Sequence, residues 1–284
     1  MNPLAGIAIT ILSAVSYGTL GIFGKLAYAE GLTTTTLLFF RFFFTAIVLM
    51  ATLFIRKQEL PKGKTLLVLV LMGAVGFSGQ AFSYLTALKY ASAGVVAILL
   101  SLYPAFVSII TTFVLKKKIS NIAVLGIGIS FIGTVLIADP AGGNITGFLF
   151  GITAALIYSV YIVTGSQVMH KVTALQSSAV IFSSTAVVYF FLILMERPIL
   201  PTGFNSWAII FGMVLIPTIL ASVTFLEGLK RIGPVNASLI STIEPLVTVL
   251  LSFLIFGEKL GVKTILGGAL ILGAVVMFTA SNKK

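Results

Sequence analysis

Residues 229–261 read LKRIGPVNASLISTIEPLVTVLLSFLIFGEKLG: two basic residues, a Gly-Pro turn, then a mostly apolar run with Glu244-Pro245 in its middle. A carboxylate at mid-bilayer depth is expensive and normally faces protein, water or a ligand rather than lipid. A proline there leaves a backbone carbonyl one turn earlier without its donor, which is tolerated only where another group can bond it. The same layout occurs at residues 88–120, LKYASAGVVAILLSLYPAFVSIITTFVLKKKIS. A shift of 141 residues aligns the two without a gap, so that Lys89 falls on Lys230, Pro104 on Pro245 and Lys118 on Lys259. The chain is built twice.

Composition sets the solvent. Hydrophobic residues make up 58% of the 284 and charged residues 9%, with a mean hydropathy of +1.17. Soluble domains hold roughly 45–50% apolar and about 25% charged residues, so this is an integral membrane protein. Cysteine is absent, which excludes disulfides and thiolate metal sites, and the single histidine, His170, sits at the end of a span. No metal or other cofactor is expected. The net charge of +11 has a membrane explanation, because basic residues collect in cytoplasmic loops, and no nucleic-acid partner is needed to account for it.

Apolar runs between polar breaks give ten spans: residues 4–27, 34–55, 66–88, 93–115, 122–138, 147–169, 175–195, 207–229, 235–256 and 264–280. The first span lacks a basic n-region and exceeds the length of a signal-peptide core, so it is expected to be retained. With the amino terminus inside, the inner loops and tail hold Arg56, Lys57, Lys62, Lys64, Lys116, Lys117, Lys118, Lys171, Lys230, Arg231, Lys283 and Lys284. The outer side holds only Lys25, Lys89, Arg197, Lys259 and Lys263, which predicts cytoplasmic termini. Five spans per half turn the second repeat upside down relative to the first. The expectation is an all-α integral membrane fold, ten transmembrane helices as two inverted five-helix repeats, 1–141 and 142–284, around a central cavity. Inverted repeats are a transporter architecture, with the site near mid-membrane at the repeat interface.

Glu244 is the one acidic residue deep in a span. It either binds a substrate amine or a coupling proton, or it serves structure by pairing with Arg41 or bonding backbone that Pro245 leaves open. Arg41, in the bulky run LLFFRFFF, either attracts a substrate carboxylate, snorkels outward, or locks its helix to a neighbour; its surroundings favour the structural roles. Ser13 and Tyr17 share a helical face, as do Gln80 and Tyr84. Tyr103 beside Pro104, Tyr158, Tyr161, Ser238, Ser241 and Thr242 add hydroxyls. Singly each is an ordinary interhelical hydrogen bond. Together they fall on spans 1, 3, 4, 6 and 9, whereas spans 5 and 10 are apolar with glycines, and that asymmetry points to a cavity lined by a subset of helices. Gly126, Gly128, Gly133, Gly267, Gly268 and Gly273 permit close helix approach, within the fold or in a homodimer through spans 5 and 10. There is no phosphate-binding loop with its lysine, no zinc-protease signature and no hydrolase elbow, so an enzyme is not expected.

The duplicated five-helix unit, Arg41, the small-residue approach ALKYASAGVVAILLSLYPAFV, the segment SLISTIEPLVTVLLSFLIFGEKL and the glycine-rich last span together resemble the drug/metabolite transporter superfamily, in its ten-helix type with two EamA domains. The resemblance covers nearly the whole chain. It implies a basket of ten helices with an inverted pseudo-twofold, helices 1, 3, 4, 6, 8 and 9 surrounding the cavity, and Glu244, Pro245 and Glu258 in the family's helix 9 positions. Two departures stand out: Lys117 occupies the turn position where an acid is common, and Phe182 stands at the counterpart of Arg41. The expected function is secondary transport of a small-molecule substrate across the inner membrane, exporting amino acids or related small amphipathic metabolites by alternating access. Multidrug or cation efflux, a lipid-carrier flippase and metabolite import are the alternatives.

Overall fold

A computed structural model describes residues 3–91, 96, 99–100, 102–116, 119–137, 144–196, 200–256 and 261–281. Every regular element among them is helical. Seven helices are long and apolar enough to cross a membrane: α1 (Leu4–Ala29), α2 (Thr34–Ile55), α3 (Gly63–Ala87), α6 (Ile145–Val168), α7 (Ala174–Met195), α8 (Phe204–Ile232) and α9 (Pro234–Phe256). Three shorter apolar helices, α4 (Tyr103–Leu115), α5 (Asn121–Ile137) and α10 (Val262–Ser281), lie in the other expected spans. The repeat boundary at 141/142, the turn positions Lys117 and Glu258, and most of the small-residue approach to Tyr103 lie outside the described residues.

Local chemistry sets the helix ends. Thr33 caps α2 by accepting from the Thr36 N–H at 3.2 Å, and Thr173 opens α7 with a reciprocal capping box to Gln176. Asn144 caps α6 through the Gly147 N–H at 3.0 Å. Gly233, at φ +79, and Pro234 at the first position start α9, each residue type suited to its place. Inside the long helices regularity fails at matched places. Both α3 and α8 contain six-residue π-helical segments, Met72–Phe77 and Leu215–Leu220. Helix α9 breaks between Ser241 and Glu244, where the Thr242 and Ile243 amides donate three residues back, to Leu239 and Ile240. The Leu102 amide makes the same tightened bond to Leu99 just before Pro104. Proline supplies no amide and crowds the preceding turn, so both breaks fall where the sequence puts Pro104 and Pro245.

The packing is reciprocal. Helix α2 lies on α7, α5 on α10, and α4 on the first half of α9. Helix α1 packs against the end of α8, and its counterpart α6 against the end of α3; α1 also meets α9, as α6 meets α4. A Cβ on Gly6 would come 2.6 Å from Ile232 and 2.9 Å from Arg231, while one on Gly147 would come 2.8 Å from Ala91 and 2.9 Å from Tyr90. Each of these residues sits 141 positions from its partner in the other contact. Glycines of α5 and α10 meet inside the chain, where a Cβ on Gly133 would lie 2.6 Å from the Gly267 carbonyl oxygen. Gly128 and Gly273 have no neighbour in such range.

Aromatic rings fill the centre. Phe42, Phe77, Phe182 and Tyr189 interlock with centroids 5.0–5.9 Å apart. The outer surface is apolar, with Phe54, Phe113, Leu194 and Leu254 among many exposed large side chains. For helices whose solvent is lipid, that exposure is the expected state.

Candidate functional site

The broken turn of α9 is the structural origin of the site. It places Glu244 at the first position of the helix Glu244–Phe256, where the unpaired amides of a helix start favour an anionic side chain. Carboxylate oxygen Oε1 is sealed from solvent and has no hydrogen-bond partner. Tyr17 of α1, Tyr84 of α3, Tyr103 of α4 and Tyr158 of α6 all lie within electrostatic reach of it. Four of the helices expected to line a cavity thus bring an aromatic hydroxyl within electrostatic reach of one carboxylate on a fifth.

The rings form a continuous wall. Tyr103 and Tyr158 meet edge to face at 5.0 Å, Tyr158 stacks on Tyr161 at 6.0 Å, and Phe225 of α8 joins Tyr158 at 6.2 Å and Tyr17 at 6.5 Å. Tyr17 is fixed by a 2.6 Å bond between its hydroxyl and Ser222 Oγ. The Tyr103 hydroxyl donates to the Ser238 carbonyl at 3.3 Å, with Ser241 beside it. Gln80 and Tyr84, half-buried and one turn apart on α3, keep the shared face expected of them.

Other candidates hold helices together. Ser13 Oγ donates to the Ala221 carbonyl at 2.7 Å, joining α1 to α8. Thr242 Oγ1 donates to the Leu239 carbonyl at 2.7 Å and meets Ser130 of α5 at 3.2 Å. Pro104 and Pro245 shape the two breaks. Ser222, Phe225 and Ser159, whose Oγ lies 3.1 Å from the Tyr103 carbonyl oxygen, were not singled out in the sequence. Ser222 and Phe225 carry no local signal, because helix α8 declares its face only through packing. Ser159 adjoins Tyr158 and was legible as a polar residue in an apolar span.

Arg41 is buried, 4% exposed, and among the described residues it makes no ion pair with Glu244. Its Nε donates to Thr218 Oγ1 at 2.7 Å and its Nη2 to the Pro217 carbonyl at 3.4 Å, both within the π segment of α8, and its guanidinium lies 5.0 Å from the Phe42 ring centroid. Of the readings offered by the sequence, locking helix 2 to a neighbour is the one the geometry supports. The π segment of α3 is gripped from α7 in a similar manner: Thr185 Oγ1 lies 3.0 Å from the Gly73 carbonyl oxygen, and the Tyr189 hydroxyl donates at 3.0 Å to the carbonyl of Ser78, the residue just after the segment.

A protein-family model described as the EamA-like transporter family matches residues 4–138 and again 145–280. The chain belongs to the EamA-like transporter family. An uncharacterized transporter of Clostridium kluyveri is 27% identical over 98% of this chain and 94% of its own. One from Archaeoglobus fulgidus is 26% identical over 96% and 95%. A solved crystal structure superposes with a TM-score of 0.84 at 21% identity, covering 96% of this chain and 98% of its own, and shares the fold. EamA membership makes this a multi-pass membrane transporter.

Proposed function

We propose that this EamA-family protein is a secondary transporter of the inner membrane that exports amino acids with apolar side chains, or related small amphipathic amines, and holds their amino group at Glu244. The carrying observation is the Glu244 carboxylate, whose Oε1 is sealed from solvent without a partner and lies within electrostatic reach of four tyrosines. A carboxylate at the centre of a membrane helix costs about 2.5–3.5 kcal/mol, a cost that an ammonium group would offset on binding. Tyrosine faces add cation–π attraction and a surface for an apolar side chain. Arg41 is committed to α8, so recognition rests on the cargo's amino end.

The chain works as two inverted five-helix repeats, 1–141 and 142–284, with cytoplasmic termini. Reciprocal packing and the matched helix breaks support this reading. Access alternates as α3 and α8 bend at their π segments, which are weak points in a helix and recur at functional sites. The same ring of tyrosines around a lone acid also favours a second reading, efflux of bulky organic cations. A thermal-shift screen of purified protein with leucine, phenylalanine, their decarboxylated amines and tetraphenylphosphonium separates the two. Stabilisation by amino acids and amines, lost in Glu244→Gln, supports the first; a response to tetraphenylphosphonium alone supports the second. A wild-type response retained in Glu244→Gln would refute both.

A further inference from the structure

We infer that the break in α9 binds a monovalent metal cation of sodium size, held by the Ser241 carbonyl and hydroxyl oxygens, the Glu244 carboxylate and the Tyr103 hydroxyl. The inference deepens the transport reading of the same site and rests on it for its functional meaning. It starts from acceptors that have no donors. Pro245 offers no N–H to the Ser241 carbonyl, and the backbone bonds across the break run to Leu239 and Ile240 instead. Ser241 Oγ is buried with the Tyr103 hydroxyl as its one polar neighbour and no hydrogen bond of good geometry, and Glu244 Oε1 is buried with no partner. Ser241 lies beside the hydroxyl of Tyr103, which reaches over from the opposing repeat, and Glu244 is within electrostatic reach of it.

Buried acceptors left without donors are individually costly, and a native fold does not gather several in one place without a reason. One proton on Glu244 would answer a single oxygen. A metal cation answers all of them together. Ser241 ends the half-helix Pro234–Ser241, so its carbonyl is among the last four that a helix leaves without an intrahelical donor. An all-oxygen donor set is that of a hard cation. One carboxylate balances one positive charge, and among the described residues no cluster of three metal-ligating side chains exists to hold a divalent ion.

The consequence is exchange. The metal cation and the cargo's ammonium claim the same carboxylate, so each displaces the other, and an amine leaves as a cation enters. The test is the apparent melting temperature of the purified full chain, titrated with sodium chloride at constant pH and at ionic strength held constant with choline chloride. A saturable rise is expected. Ser241→Ala and Glu244→Gln should each raise the half-saturating sodium concentration at least tenfold while melting cooperatively. If either variant fails to fold, Tyr103→Phe, which deletes only a hydroxyl, decides by the same shift. Identical melting in sodium and choline, or a sodium response unchanged in the variants that fold, would overturn the site. Repeating the titration with phenethylamine in choline chloride separates the two claims. Amine stabilisation through Glu244 with no sodium effect removes the cation site and leaves the cargo reading standing. A sodium effect through Ser241 and Glu244 with no amine effect does the reverse.

Discussion

Gly73 sits in the π segment of α3 with its Cα pressed against α7. A Cβ there would lie 2.1 Å from the Ile181 carbonyl oxygen, 2.1 Å from Ser184 Oγ and 2.9 Å from the Ile181 carbonyl carbon. The hydroxyl can rotate away, but the carbonyl is backbone and cannot. In Gly73→Ala the two helices must therefore separate by on the order of 1 Å, since real Cβ atoms do not approach oxygen so closely. Overpacking of this kind costs about 1–3 kcal/mol. Separation also weakens the Thr185 and Tyr189 bonds to α3, each worth about 0.6 kcal/mol as interhelical bonds in membranes go. Alanine's higher helix propensity returns about 0.8–1 kcal/mol. The net expectation is a loss of about 1–3 kcal/mol. Gly128 is the matched control, because a Cβ there meets nothing within 4 Å and Gly128→Ala should gain up to about 1 kcal/mol. Denaturant titration of both variants in mild detergent, followed by helical circular dichroism, measures the difference. Adding Ser184→Ala should leave most of the loss in place, because the Ile181 carbonyl remains. A Gly73→Ala protein as stable as wild type would refute the close α3–α7 contact and the hinge reading built on it.

Glu244→Gln should abolish transport in proteoliposomes while leaving expression and cooperative melting intact; wild-type flux would remove the carboxylate from the mechanism. Because Arg41 and Glu244 do not pair, the stability losses of Arg41→Met and Glu244→Gln should add within about 0.5 kcal/mol, and a coupling above 1 kcal/mol would restore the ion pair. The chain has no native cysteine, so single cysteines at Lys57 and Leu200, which follow the equivalent helices α2 and α7, can be labelled cleanly in whole cells. An impermeant maleimide should reach position 200 and not position 57; labelling of both from one side would sink the inverted arrangement. Tyr158→Phe should leave amine affinity within about twofold, since the hydroxyl lends little beside the ring, whereas Tyr158→Ala should weaken it about tenfold or more in the same thermal-shift titration.

What the sequence made legible is what the bilayer punishes. Pro104 and Pro245 announce the helix breaks because a missing amide has no remedy in lipid, and Glu244 announces the site because a buried charge needs a reason. What stayed hidden was set by partners far along the chain. Pairing with Arg41 was one of several readings open to Glu244, yet the arginine is satisfied by Thr218 and the Pro217 carbonyl, neutral groups whose position depends on a π register. That register has no residue signature. Only Pro217, inside an otherwise regular span, hinted at irregularity in α8. By residue type Ser13 and Thr242 were as good candidates as Tyr17, and they separated only when the Ala221 carbonyl of α8 fell within reach of Ser13 and the Ser130 hydroxyl of α5 within reach of Thr242.

The duplication itself explains why so little polar chemistry is needed. Two matches to one family unit bring two matched breaks and two π segments two residues from exact register, which is what the proposed alternating opening needs. The proposed function requires that the copies differ around position 244, and they do. Position 103 is tyrosine and its counterpart, position 244, is glutamate. Ser159 bonds the Tyr103 carbonyl, while its counterpart is Gly18, whose carbonyl accepts instead from Thr248 at 2.8 Å. A Cβ on Gly18 would meet Val247 at 2.6 Å and the Glu244 carbonyl oxygen at 3.0 Å, so α1 can lie this close to the carboxylate's helix only because residue 18 has no side chain. In the proposed mechanism, symmetry in the scaffold serves the movement, and the single charge placed off that symmetry, on one of the two broken helices, holds the cargo.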